Sequence, residues 1–391
     1  MHERVYLDFA ASAPMRVEAR DVELAYEASD FAGANPNSLH SAGREAARAL
    51  DGARRDVARC VGGGFRPSEV VFTSGGTENN NLALLGMAEG ARGRNRQRTR
   101  VLISAIEHDS GLDIAPRLRE RGFEVDLLRP ERDGHVSPAT LEQALESHVG
   151  LVSVMLANNE TGVIQPVEEL GRLAHAAGAL FYTDAAQGFC KIRANLETCD
   201  AVGVVGHKIG APVGTGALLV RGRSPLRPQT FGGGQERGLR PGTQDVRGAL
   251  AFAAAASACA KTLDHCRAEV SCNAMRLYEL VCADGTGIHP TTSTVVDEHR
   301  LPGIVSLMVP GVDSESLVLQ LDERGFEVSA SSACASGSLD PSHVLTAMGI
   351  SRLHALGSLR VSFDERVGWG DLERFGRTLI EVVSLLRQRE A

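Results

Sequence analysis

The 391 residues carry a formal net charge of −8, with 43% hydrophobic and 23% charged side chains, the balance of a globular protein large enough for more than one core. Such an acidic chain offers no electrostatic reason to expect nucleic acid or an anionic membrane as partner. No apolar run reaches signal-peptide or membrane-spanning length, so a cytoplasmic protein is expected.

From about residue 68 to 220, short β-branched runs alternate with segments of helical period. Glu69–Thr73 reads as a strand, followed by a helix over Glu78–Gly90 carrying Leu82, Leu85 and Met87. Arg100–Ser104 is a strand, Asp113–Arg121 a helix and Glu124–Leu128 a strand. Ser137-Pro138 opens another helix with a capping residue and a first-turn proline. Leu151–Leu156, Leu180–Asp184, Ala201–Val205 and Gly216–Val220 complete the strands. This alternation predicts an α/β fold with a mostly parallel sheet between layers of helices, and ligand contacts beyond the carboxyl ends of the strands. The Arg-rich stretch 91–100 has no interleaved aromatics and reads as a solvated loop. The Ala-rich stretch 250–282 predicts a connecting helix into a smaller α+β domain, with strands near Gly303–Met308 and Leu359–Phe363. The expected division is a large domain over 15–255, and a small one over 1–14 and 256–391.

Only three lysines occur, at 191, 208 and 261, against 38 arginines. A lysine kept in an arginine background points to chemistry that a guanidinium cannot do, because arginine stays protonated and forms no imine. Lys208, in Gly206-His207-Lys208, follows the apolar strand 201–205, where burial disfavours an ammonium unless it is paired or used. Asp184 ends strand 180–184; a carboxylate there either caps a helix or meets a ligand cation. Thr73-Ser74-Gly75-Gly76-Thr77-Glu78 joins a strand to a helix without a phosphate-loop lysine, and such helix starts favour anions. His108 follows strand 100–104. An imine-forming lysine, an acidic partner for a ring nitrogen and a phosphate cradle together fit pyridoxal phosphate. On that reading His108 lies flat on the ring and Thr77 binds phosphate.

The eight cysteines contain no CxxC pair and read as free thiols rather than disulfides or metal ligands. Seven sit in apolar or helical contexts, with Cys259 and Cys266 as buried small hydrophobes. Cys334 instead sits in the small-residue tract Ser329–Ser338, expected to be a mobile, accessible loop suited to a nucleophile that enters a pocket and leaves with a product. Arg360, in a strand of the small domain, is placed to clamp a substrate carboxylate.

The motifs FTSGGTE (72–78), EH (107–108), NNETG (158–162), DAAQ (184–187), GHK (206–208), GGGQERGLRPGT (232–243) and SSACAS (331–336), with Asn35-Pro36 and Arg360, resemble the cysteine desulfurases of the NifS/IscS type. These belong to the fold-type I, class V aminotransferase-like pyridoxal-phosphate enzymes. The resemblance implies that Lys208 binds the cofactor covalently, Asp184 pairs its ring nitrogen, and Gln187 and Asn159 contact its ring hydroxyl. It implies that His108 stacks and moves protons, while Gly76, Thr77 and His207 hold the phosphate. Thr243 would reach the phosphate of a neighbouring subunit, which implies a homodimer. Asn35 and Arg360 would bind the substrate, L-cysteine, and Cys334 would take its sulfur as a persulfide for a sulfur-acceptor protein, either an iron–sulfur scaffold or a thiolation enzyme. A selenocysteine lyase or aminotransferase of the same fold, or a non-catalytic sulfur relay, are the alternatives. No metal is expected. Three departures stand out: Val205 replaces the usual serine beside Gly206-His207-Lys208, Gly210-Ala211-Pro212 replaces Tyr-Gly-Pro, and Gln388–Ala391 lacks a docking extension. The first predicts weaker cofactor binding, and the last leaves the acceptor open.

Overall fold

The computed structural model describes residues 4–330 and 340–390. In chain order the elements are β1 Val5–Tyr6, α1 Val17–Glu27, α2 Ser41–Val61, β2 Val70–Thr73, α3 Gly76–Arg94, β3 Arg100–Ser104, α4 Asp109–Leu112, α5 Ile114–Glu120 and β4 Glu124–Leu128. There follow α6 Pro138–Ala144, β5 Val149–Ser153, α7 Val167–Ala176, β6 Leu180–Asp184, β7 Ala201–Val205, β8 Gly216–Val220 and α8 Val246–Val281. The remainder is β9 His289–Pro290, β10 Ile304–Met308, α9 Ser314–Glu323, β11 Phe326–Glu327, β12 Ser329–Ala330, α10 His343–Ala347, α11 Arg352–Ala355, β13 Ser358–Ser362 and α12 Trp369–Glu390.

Seven of the described strands form the central sheet in the order β2-β8-β7-β6-β5-β3-β4. Strands β3 to β7 are mutually parallel, and β8 runs antiparallel to both β7 and β2. The sheet is apolar on both faces because alternate side chains feed different cores. In β3, Leu102 packs into one core while Val101 and Ile103 enter the other. In β8, Ala217 and Leu219 divide from Leu218 and Val220 in the same way. From β3 the chain moves to β4 on one side and then to β5 on the other. That switch opens a crevice beyond the strand ends.

A second sheet, β12-β13-β10-β9, packs with α12 and the N-terminal residues: Leu7 and Phe9 share a core with Leu307, Leu359 and Phe375. Helix α8 joins the two cores. Its residues through Cys259 lie in the first and those from Val270 in the second, so the expected boundary at 255/256 falls inside one continuous helix. The helix starts before the Ala-rich run because Asp245 caps it, accepting the Gly248 N–H at 2.9 Å.

Three details differ from the sequence expectation. Helix α3 begins at Gly76 rather than Glu78, because Gly75, at φ 147°, makes the turn; Gly76 and Thr77 therefore sit in its first turn. The helix expected over Asp113–Arg121 is α5, Ile114–Glu120, and it is preceded by a short helix, α4, that was not expected, the two meeting at Asp113. Cys272 is exposed on α8, whereas Cys199 and Cys259 are buried and Cys60, Cys190, Cys266 and Cys282 are half-buried, so exposure alone does not single out one thiol. No helix among the described residues is long and apolar enough to cross a membrane.

Candidate active site

A cavity of about 510 Å³ lies beyond the carboxyl ends of the parallel strands. Asp184, the last residue of β6, is buried at its floor. One carboxylate oxygen accepts the Ala186 N–H at 2.9 Å and the other accepts Asn80 Nδ2 at 2.9 Å. Asn80 is itself oriented by Tyr182 Oη, which donates to its oxygen at 2.6 Å. The carboxylate is thus both a local cap and a fixed acceptor aimed at the cavity. Asn80 went unread in the sequence; its signal is the polar run Asn79-Asn80-Asn81 at the start of an otherwise apolar helix.

Lys208, just past β7, donates from Nζ to the Ala10 and Ala11 carbonyls at 2.5 and 2.7 Å. The N-terminal segment thus accepts two of the amine's hydrogen bonds. Neighbouring His207 is pushed down to about 4, by burial first and then by the charges of Lys208 and Lys191, so its imidazole is neutral at pH 7. Gly76 and Thr77 bring the first turn of the 19-residue α3 to the cavity wall, with amides lacking helical partners. Val205 also lines this wall, its Cγ1 only 3.3 Å from where a Cβ on Gly76 would stand. A methyl therefore stands beside the helix start, and it offers no hydrogen bond to an anion.

His108 caps α4; its Nδ1 accepts the Ser110 N–H at 3.1 Å, which in the neutral ring assigns the proton to Nε2. Gln187 donates from Nε2 to the Ala10 carbonyl at 2.9 Å. In 158–162 it is Asn158 that builds the turn, accepting the Glu160 and Thr161 amides at 2.9 Å each, while Asn159 faces the cavity and its carbonyl accepts Arg360 NH1 at 3.1 Å. Arg360, 3% exposed in β13, pairs through NH2 with Asp8 at 2.8 Å, and its Nε has no partner among the described residues. Ser342 and His343 close the far wall: Ser342 Oγ donates to Glu160 at 2.5 Å, and His343 Nε2 lies 2.9 Å from the Glu107 carbonyl. Burial raises the Glu160 carboxyl to about 7.

The structure thus gathers Lys208, Asp184, His108, Gln187, Asn159, Gly76, Thr77, His207 and Arg360 around one cavity. Two candidate residues lie elsewhere in this chain. Asn35 spends its side-chain oxygen on the Asn37 N–H at 2.9 Å, making a local turn, and is absent from the cavity wall. Thr243 is exposed and also outside the wall. Cys334 falls outside the described residues.

Glu107, behind His108, is fully buried and raised to about 8, by burial first and then by the Asp184 charge, against a hydrogen bond from the Met155 N–H. Its ordinary value is 4.5, so the fold favours the protonated form, and stability falls as pH rises from the unfolded value through the folded one. Glu107→Gln keeps the acceptor for Met155 and removes the titration. The variant is expected to be more stable than wild type at pH 8 by on the order of 2 kcal/mol, seen as a higher melting temperature, with the difference closing toward pH 4; a difference that does not change across that range would refute this.

The class-V aminotransferase profile matches residues 5–375. The chain belongs to that family. Within it, the chain is of the NifS/IscS cysteine desulfurase type. It is 39% identical over 362 residues to the IscS-like cysteine desulfurase of Mycobacterium tuberculosis (strain ATCC 25618 / H37Rv), covering 91% of this chain and 90% of that protein. It is 36% identical over 392 residues to the cysteine desulfurase IscS of Anaeromyxobacter sp. (strain Fw109-5), covering 98% and 93%. Among solved structures, a NifS-like protein superposes with a TM-score of 0.88 at 31% identity, covering 98% of this chain and all of that one. SspA in complex with cysteine gives 0.77 at 31% identity, covering 92% and 98%. Enzymes of this family use pyridoxal phosphate.

Proposed function

We propose that this chain converts L-cysteine to L-alanine with pyridoxal phosphate and passes the sulfur to Cys334. The observation that carries the reading is the placement of the Lys208 amine and the Asp184 carboxylate at adjacent strand ends, β7 and β6, in one cavity with the start of α3. The donor set suits the cofactor: a primary amine for its aldehyde, a carboxylate for its ring nitrogen, and helix amides for its phosphate. When bound, the cofactor supplies an electron sink for charge developing at the substrate carbons.

The residues of the chain do the rest. Asp184, held by Asn80, keeps the ring nitrogen protonated. Lys208 would hold the cofactor through its amine, and the same nitrogen would move a proton at the substrate Cα. Gln187 and Asn159 orient the ring hydroxyl. His108 would lie against the ring, with the proton of its neutral form at Nε2. Thr77, the first-turn amides and neutral His207 hold the phosphate. Arg360 binds the substrate carboxylate, sharing its NH2 with Asp8. Cys334 attacks the substrate sulfur as thiolate; an Sγ–S bond forms, the Cβ–S bond breaks, and the resulting persulfide is delivered to a sulfur-acceptor protein. Relatedness to SspA, which was solved with cysteine, supports that substrate. Thr243, exposed in this chain, would reach a neighbouring subunit's phosphate site in the homodimer that this reading proposes, and the proposed compartment is the cytoplasm.

The test is release of alanine and sulfide from L-cysteine with a thiol reductant, wild type beside Cys334→Ala. Wild type is expected to release the two in equal amounts, and the variant to retain bound cofactor while losing at least about a hundredfold in rate. Undiminished multiple turnover in the variant would remove Cys334 from the mechanism. Transamination of the cofactor without sulfide would favour an aminotransferase.

A further inference from the structure

Two of the three lysines are joined by one hydrogen-bonded path. Lys191 Nζ donates to Gln187 Oε1 at 3.1 Å, Gln187 Nε2 donates to the Ala10 carbonyl at 2.9 Å, and that carbonyl also accepts Lys208 Nζ at 2.5 Å. Both lysines line a small cavity of about 60 Å³ between the two cores. An ammonium has donors only. Lys191 and the Ala10 carbonyl together fix which way the Gln187 amide points: its oxygen faces Lys191, and its two N–H bonds point elsewhere. One goes to Ala10; Gln187 lines the active-site cavity, where the other is available.

The surroundings of Lys191 are mixed. Burial is the largest influence and, with Arg360 and Arg16, disfavours its charge, while Asp364 and Cys259 favour it, leaving the group at about 8. It is mostly cationic at pH 7, and its field already reaches His207, which also feels Lys208. A second positive charge on the same network must likewise ease proton loss from the Lys208 nitrogen.

We propose that Lys191 is a positioning residue for the reaction: it fixes the Gln187 amide with an N–H toward the cofactor site and promotes deprotonation of Lys208. The proposal rests on the reading that Lys208 holds the cofactor, but its first test does not. With three lysines in the chain, amine acylation of each is readily assigned by peptide mass. In cofactor-free protein, the pH midpoint for labelling Lys208 is expected to rise by about one unit in Lys191→Met and Lys191→Gln, as for loss of a charge in a medium of intermediate dielectric. In cofactor-loaded protein, the pH midpoint of the visible absorbance should rise likewise. Cofactor retention should weaken several-fold in Lys191→Met and less in Lys191→Gln, which can still hydrogen-bond Gln187. If Lys191→Met fails to fold, as judged by circular dichroism, Lys191→Gln carries the test. An unchanged Lys208 labelling midpoint in a folded variant would overturn the proposal. Wild type that shows the labelling difference from the variants yet takes up no cofactor would instead overturn the functional reading while leaving Lys191 as the controller of Lys208.

Discussion

Replacing Lys208 with alanine is expected to abolish the visible absorbance of covalently held cofactor and to lower alanine release by about three to four orders of magnitude, the upper range for loss of a positioned proton-transfer group. The fold should survive. The amine leaves behind two carbonyl acceptors, Ala10 and Ala11, at the edge of a cavity large enough for water to replace it. Lys208→Arg should be equally inactive although it preserves charge, because a guanidinium stays protonated and cannot form the imine. Absorbance and rate are read on the same samples, with melting temperature as the control. A Lys208→Ala enzyme retaining a tenth of wild-type rate would remove this lysine from the chemistry.

The second large effect is expected at Arg360. Its guanidinium is buried, ion-paired with Asp8 and bonded to the Asn159 carbonyl, while Nε remains without a partner among the described residues. Truncation to alanine removes the carboxylate clamp and strands Asp8 in a largely buried setting, so stability should fall by about 3–5 kcal/mol. Arg360→Lys separates the two roles. It keeps a charge for Asp8 but loses the planar fork that grips a carboxylate through two bonds. Its melting temperature should stay near wild type while kcat/KM for L-cysteine falls about a hundredfold, mostly through KM. A lysine variant with unchanged KM would show that Arg360 serves the fold alone.

What the sequence revealed and what it hid divide by distance along the chain. The central strands were legible because both faces are covered, so they appear as uninterrupted apolar runs, and the residues that follow them could be examined one by one. Lys208, Asp184 and His108 were found in that way. Asp8 was not, because its partner Arg360 is 352 residues away and nothing local marks the pairing. Asn80 was missed because a buried amide in a helix is visible only through the Tyr182 and Asp184 groups it satisfies. Lys191 was noticed as a rare residue but had no stated task until Gln187 supplied one. Asn35 and Thr243 came from resemblance rather than from local chemistry, and they are the candidates that this chain's cavity does not include. The antiparallel β8 is likewise invisible to pattern: its sequence, Gly-Ala-Leu-Leu-Val, is as apolar as its parallel neighbours.

Helix α8 has a mechanical consequence. Its 36 residues make a rod about 54 Å long at 1.5 Å per residue, anchored in one core at one end and the other core at the other. Residues 260–269, between the anchors, are all at least partly exposed. A stiff beam clamped at both ends resists the rotation by which two-lobed enzymes swing shut, and any flexing is confined to that uncovered span, where Arg193 braces Asp264 at 2.8 Å. The lobes are therefore held at a nearly constant spacing, and traffic into the cavity falls to smaller parts than whole lobes.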